Sequence, residues 1–155
     1  MIVSLPSISR HSFGSVLALV FASVVLAPPL YAQSDAPSGT VSVRVVGLES
    51  DDGSVRAALN NEQNYDGDGN VRAATLSIED GTARWMIEEL PPGTYAVRLY
   101  HDENDNGELD TNMFGVPQEP FGFSNDARGS MGPPDFDEAA FTVASDSLSM
   151  TITAE

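Results

Sequence analysis

The chain has 155 residues, 23 acidic against 7 basic side chains, a formal net charge of −16 and no cysteine. Without cysteine there are no disulfides, thiol nucleophiles, thiolate metal sites or cysteine-borne lipid anchors. Nucleic acid is excluded as a partner because phosphate binding needs clustered Lys and Arg, and the same charge opposes direct adsorption to anionic lipid.

The chain opens with Arg10, an apolar run from Phe13 to Ala27, Pro28-Pro29 and then Leu30-Tyr31-Ala32-Gln33. This is the layout of a secretory signal peptide over residues 1–32, with cleavage after Ala32. The run falls short of the ~18 apolar residues that a span requires, so the expected product is exported, periplasmic or extracellular, and has no membrane span once cleaved. All the acidic residues lie beyond the signal peptide and lysine is absent. Such a surface repels itself and suits a salt-screened medium, although an ordinary habitat fits as well.

Residues 33–39 are small and polar and read as a flexible leader to a single domain over residues 40–155. Strand patterns follow. Val41, Val43 and Val45 alternate with polar residues, as do Val55, Ala57 and Leu59 after the Asp52-Gly53 turn. Leu76 and Ile78 continue the alternation to a turn at Asp80-Gly81, where a two- or a three-residue hairpin fits. Ala83, Trp85 and Ile87 share one face, and so do Tyr95, Val97 and Leu99. Phe141 with Val143, and Leu148 with Met150 and Ile152, supply the last two strands. About seven short strands with Gly and Pro turns predict an all-β, antiparallel β-sandwich. Trp85 is expected in its core, the other reading being a sugar-stacking platform. From Tyr100 to Asp137 no strand is evident. This stretch reads as one long ordered loop, stiffened by prolines and carrying an apolar cluster of Met113, Phe114, Val116, Phe121, Phe123 and Met131.

Within that stretch, oxygen-bearing side chains recur at every second position around a glycine. Asp102, Asn104 and Asn106 match positions one, three and five of a calcium loop, and Gly107 stands at the sharp turn. Glu108 offers a backbone carbonyl and Asp110 falls at position nine. The position that closes a helix-loop-helix site with glutamate is Met113, so missing oxygens must come from elsewhere, with Glu119 and Asp126 as candidates. Calcium, another divalent ion and a metal-free hydrogen-bonded loop are the three readings. Asp66, Asp68 and Asn70 form a weaker second loop of the same kind, read chiefly as a turn. His101 lies on the buried side of its strand, where it is structural or else a ligand or acid/base group. Ser124 and Ser130 lack the setting of an activated nucleophile.

The run Leu90-Pro91-Pro92-Gly93-Thr94-Tyr95-Ala96-Val97, the His101 to Gly107 block with Leu109-Asp110 and Asn112, and the segments Phe114-Gly115-Val116-Pro117 and Phe121-Gly122-Phe123-Ser124-Asn125 resemble a known family. It is the exported bacterial domain of unknown function numbered two-one-four-one. The resemblance spans about Thr40 to Ile152 and implies a secreted or periplasmic sandwich similar to immunoglobulin-like or transthyretin-like modules, without implying an activity.

The expected function is therefore a non-enzymatic, exported module whose calcium-braced loop binds an envelope protein or a glycan. The alternatives are a small envelope hydrolase using His101 and neighbouring carboxylates, and a purely structural calcium-stabilised module.

Overall fold

The computed structural model describes residues 37–67 and 69–155, so the expected signal peptide and most of the leader lie outside the described residues. Nine strands run in order: β1 Gly39–Val46, β2 Ser54–Asn60, β3 Arg72–Leu76, β4 Ile78–Glu79, β5 Thr82–Leu90, β6 Gly93–Asp102, β7 Phe121–Phe123, β8 Phe141–Val143 and β9 Ser147–Thr153. The only α-helix among the described residues is the single turn α1, Phe136–Ala139. The first sheet has the order β4-β5-β1-β9 and the second β3-β2-β6-β7, with β8 also paired to β6. The two pack as a sandwich, and period-two alternation explains why. Val41, Val43 and Val45 from the first sheet meet Val55, Leu59, Val97 and Leu99 from the second in one shared core.

Several expectations need correction. Nine strands replace about seven because the Leu76–Ile78 segment splits at Ser77, β3 joining the second sheet and β4 the first, and because Phe121–Phe123 forms β7 inside the long loop. β1 begins at Gly39, inside the expected leader. One pairing is parallel: β9 runs beside β1 with Val43 opposite Met150. The Asp80-Gly81 turn is the two-residue kind, with Glu79 opposite Thr82 and positive φ at both turn residues, +51° and +66°. That is the turn whose twist matches the flanking strands. Trp85 is half-buried at the margin of the core and not enclosed by it.

The long loop shrinks to residues 103–120. The apolar residues expected to cluster between Tyr100 and Asp137 do not: Met113 is 89% exposed, Phe114 84% and Met131 100%. Only Phe121 and Phe123 enter a core, a second small one with Tyr65, Ala96 and Ala139 on the outer side of the second sheet. Phe136 of α1 meets Tyr65 edge-on at 5.5 Å and helps to close that end.

Candidate functional site

The outer face of the second sheet carries two rows of side chains set by strand register. Thr75, Arg56, Tyr100 and Phe121 lie side by side in one row, and Ala73, Ala58, Arg98 and Phe123 in the next. The small alanines of β3 and β2 beside the long side chains of β6 and β7 leave a groove of about 920 Å³. Leu109 and Gly107 of the 103–120 loop wall one part of it, and Tyr65, Asp66, Asn70 and Pro133 line another. Each wall is tied to the floor through an arginine, and the first through a tyrosine as well.

At the first wall, Asp102 is fully buried at the end of β6. Its Oδ2 accepts from Arg56 Nε at 2.9 Å and from the Gly107 amide at 2.9 Å, and its Oδ1 accepts from the Asn106 amide at 3.0 Å. A carboxylate removed from water needs this full set of donors, and the guanidinium offsets its charge. The Asn104 and Asn106 side-chain Oδ1 atoms accept the amides two residues ahead, at 2.9 Å and 2.7 Å. Their Nδ2 groups both turn to Asp110, at 2.8 Å and 3.0 Å. Alternating Asx residues thus fold the segment into a tight coil, with Asp105 at φ +55° and Gly107 at φ +84° in the left-handed region. Glu119, which is 5% exposed, lies beneath and accepts the Glu103 amide at 3.0 Å and the Asp110 amide at 2.9 Å. Tyr100 completes the wall by donating its hydroxyl to the Gly107 carbonyl at 2.8 Å.

Five sequence-derived candidates, Asp102, Asn104, Asn106, Asp110 and Glu119, therefore stand in one hydrogen-bonded set. Glu108 is exposed and contributes its amide to the coil. Asp126 does not join them; its Oδ1 accepts the Thr153 amide at 2.8 Å and tethers β9. Among the described residues no three His, Cys, Asp or Glu side chains meet closely enough to hold a metal unaided. The donor chemistry nevertheless fits a hard cation if amide and backbone oxygens share the work. Asp102, Asn104, Asn106 and Asp110 would hold it, with Glu108 adding its carbonyl, and it would supply positive charge to a loop rich in carboxylates.

At the second wall, Arg98 donates to the Tyr65 carbonyl at 3.1 Å and to the Gly67 carbonyl at 3.2 Å. Asn60, fully buried, donates to the Asn64 and Gly69 carbonyls at 3.1 Å and 2.9 Å. Tyr65 donates its hydroxyl to the Pro134 carbonyl at 3.1 Å. Asp66 and Asn70 are exposed at the groove's edge, and Asp68 lies outside the described residues. Burial is the main cause that raises both tyrosines above the ordinary value of 10.0, and nearby carboxylates, Asp102 for Tyr100 and Asp66 for Tyr65, push the same way.

His101 points to the opposite side of the sheet from Asp102 and has no exposed surface. Its Nε2 lies 2.8 Å from the Asp52 carbonyl, and its Nδ1 has no closer acidic partner than Glu103 at 3.8 Å. The imidazole thus braces the Asp52-Gly53 turn. Gly53, at φ +71°, passes so close to the Asp102 carbonyl that a Cβ would collide with it. Ser124 is likewise buried, accepting the Val97 amide at 2.9 Å and donating to the Ala139 carbonyl. The groove was missed in the sequence because its eight floor residues come from four strands and meet only through register. Arginine recurring at outward positions of neighbouring strands is the one signal that could have found it.

Fold and groove together define a small all-β sandwich with a walled surface site on one sheet. The chain belongs to the family described as "uncharacterized protein conserved in bacteria (DUF2141)", which matches residues 43–151. No curated protein and no solved structure matches it.

Proposed function

We propose that the protein is an exported, non-enzymatic binding module, periplasmic or extracellular, that takes an envelope glycan in the groove, with calcium bracing the 102–110 loop that walls it. The observation that carries the reading is the pair of rows Thr75-Arg56-Tyr100-Phe121 and Ala73-Ala58-Arg98-Phe123. Small residues on β3 and β2 let a flat ligand approach the sheet, aromatic rings on β6 and β7 suit the apolar face of a sugar, and guanidinium donors suit its hydroxyls. A segment of an envelope protein is the second reading. It is favoured by β3, which pairs with β2 on one side and has no strand on the other among the described residues, so that an extended segment could add there.

Filling the groove tests the reading. Purified residues 33–155 are immobilised and exposed to envelope glycan and envelope protein fractions, alongside the variant Ala58→Trp. Glycan retention lost in the variant is the expected result. Equal retention by both proteins would move the site elsewhere, and retention of protein alone would favour the second reading. Calcium is tested on the same sample by thermal melting at matched ionic strength, because so acidic a protein is stabilised by screening alone. A saturable rise in melting temperature that Asp110→Ala abolishes and Asp66→Ala leaves intact supports the brace. Melting that follows ionic strength only would remove calcium from the reading and leave the loop held by Arg56 and the amides.

A further inference from the structure

Thr111 to Gln118 is an eight-residue stretch without a charged side chain in a chain of net charge −16. It forms a closed turn at the outer end of the 103–120 loop. Thr111 and Pro117 make an isolated bridge. The Asn112 amide donates to the Val116 carbonyl and the Gly115 amide to the Asn112 carbonyl, each at 2.9 Å. The Asn112 side chain accepts the Phe114 and Val116 amides at 2.9 Å and 3.2 Å. Four of the five amides from Asn112 to Val116 are thus donated inside the turn. Gly115 stands at φ +76° with open space around it. At the tip, Met113 is 89% exposed, Phe114 84% and Val116 55%, three of the five large apolar side chains that stand exposed among the described residues.

We propose that this turn is a lipid-inserting tip, which dips Met113, Phe114 and Val116 into the headgroup boundary of a zwitterionic bilayer. Two features favour lipid over an apolar pocket in a partner protein. A turn entering a membrane must satisfy most of its own backbone, since each unpaired amide there is costly, and this one pairs all but the Met113 amide among the five from Asn112 to Val116. A protein that reads a turn by hydrogen bonding would find most of the donors already used. Charge decides which lipid. Glu103, Asp105 and Glu108 are exposed in the preceding coil, so an anionic surface repels the approach while a zwitterionic one does not. Three side chains are too few to anchor a protein, so the association is reversible, and it would hold the groove close to a membrane surface.

The test uses residues 33–155, whose main core closes within Val41 to Ala154, so that the apolar leader cannot bind lipid itself. Sedimentation with phosphatidylcholine vesicles is compared for the unmodified chain, the double variant Met113→Ser/Phe114→Ser, and Met86→Ser, which alters a 60% exposed methionine on β5 as a control. The double variant should bind at least about tenfold more weakly, because burying one large apolar side chain alone corresponds to a factor of that order. Met86→Ser should bind unchanged, and adding phosphatidylglycerol should weaken binding at low salt. No sedimentation of the unmodified chain at millimolar lipid would overturn the proposal, as would equal binding by the double variant. Capture of an envelope protein that depends on Phe114, without any lipid binding, would overturn it in favour of a protein pocket. Both tip residues are exposed and lie outside the core, so loss of binding can be separated from unfolding by the melting temperature.

Discussion

The coil from Asp102 to Asp110 and the turn from Asn64 to Asn70 carry the same alternation of Asp, Asn and Gly, and each leans on an arginine from the same sheet face. The acceptors differ. Arg56 meets a fully buried carboxylate, whereas Arg98 meets two backbone carbonyls. In the first region a charge has been withdrawn from water and the loop is built around satisfying it; in the second the arginine ties down backbone that water could otherwise solvate. Similar spelling in the sequence thus produces a wall with a charged hinge and a wall with a neutral one. Interruption should therefore be far more damaging at the first than at the second.

The sharpest way to break the comparison is to remove its charged hinge. Asp102→Ala strands Arg56 and the amides of Asn106 and Gly107, and should cost about 3 kcal/mol in chemical denaturation. A loss no greater than that of Arg98→Met would abolish the distinction between the walls. Calcium comes next: at a hundred times its dissociation constant it should add about 2.7 kcal/mol. Hydrogen exchange should show the gain in residues 102–119 and little of it in residues 64–70. Arg98→Met should cost about 1 kcal/mol, since water can replace its bonds to the two carbonyls, and should loosen the Tyr65–Gly67 segment first.

The smallest effect concerns the tyrosines, one for each wall. Both are raised in the folded protein, so the unfolded chain loses these protons first as pH climbs past 10. Their contribution is complete below pH 10 and disappears as the pH passes through the folded values. Spectroscopic titration should place both above 10.0, and Tyr65→Phe and Tyr100→Phe should each flatten part of the alkaline loss of stability. Ordinary titration of Tyr100 would mean that its hydroxyl is not buried beside Asp102 in the first wall.

Much of this architecture was legible in the chain. Val41-Val43-Val45 and Tyr95-Val97-Leu99 announce half-buried strands because pleating turns every second side chain to the core. The Asx spacing from Asp102 to Asp110 announces a coil because Asx side chains accept amides a few residues on, as Asn104 and Asn106 do two residues ahead and Asp102 four and five ahead. Other features depend on partners that spacing does not reveal. Leu76 and Ile78 alternate as one strand would, and nothing around Ser77 says that the chain changes sheets there. Phe121-Gly122-Phe123 is too short to signal β7 and becomes a strand by pairing with Arg98 to Tyr100. Met113, Phe114 and Val116 read as buried by their chemistry, yet Asn112 closes their turn on itself and keeps them off the sheet. The groove was the least legible, since register across four strands creates it.

The parallel pairing of β1 with β9 sets a timetable for folding. Val41 finds its neighbour in Leu148, and the Phe121 and Glu155 backbones exchange hydrogen bonds that join the end of β9 to β7. The earliest strand therefore stays half-complete until the latest one has been made, and contacts so distant along a chain form slowly. The sandwich cannot close before its final strand has been made, so the polypeptide stays pliable until the whole domain is present, a delay that the export proposed above would use.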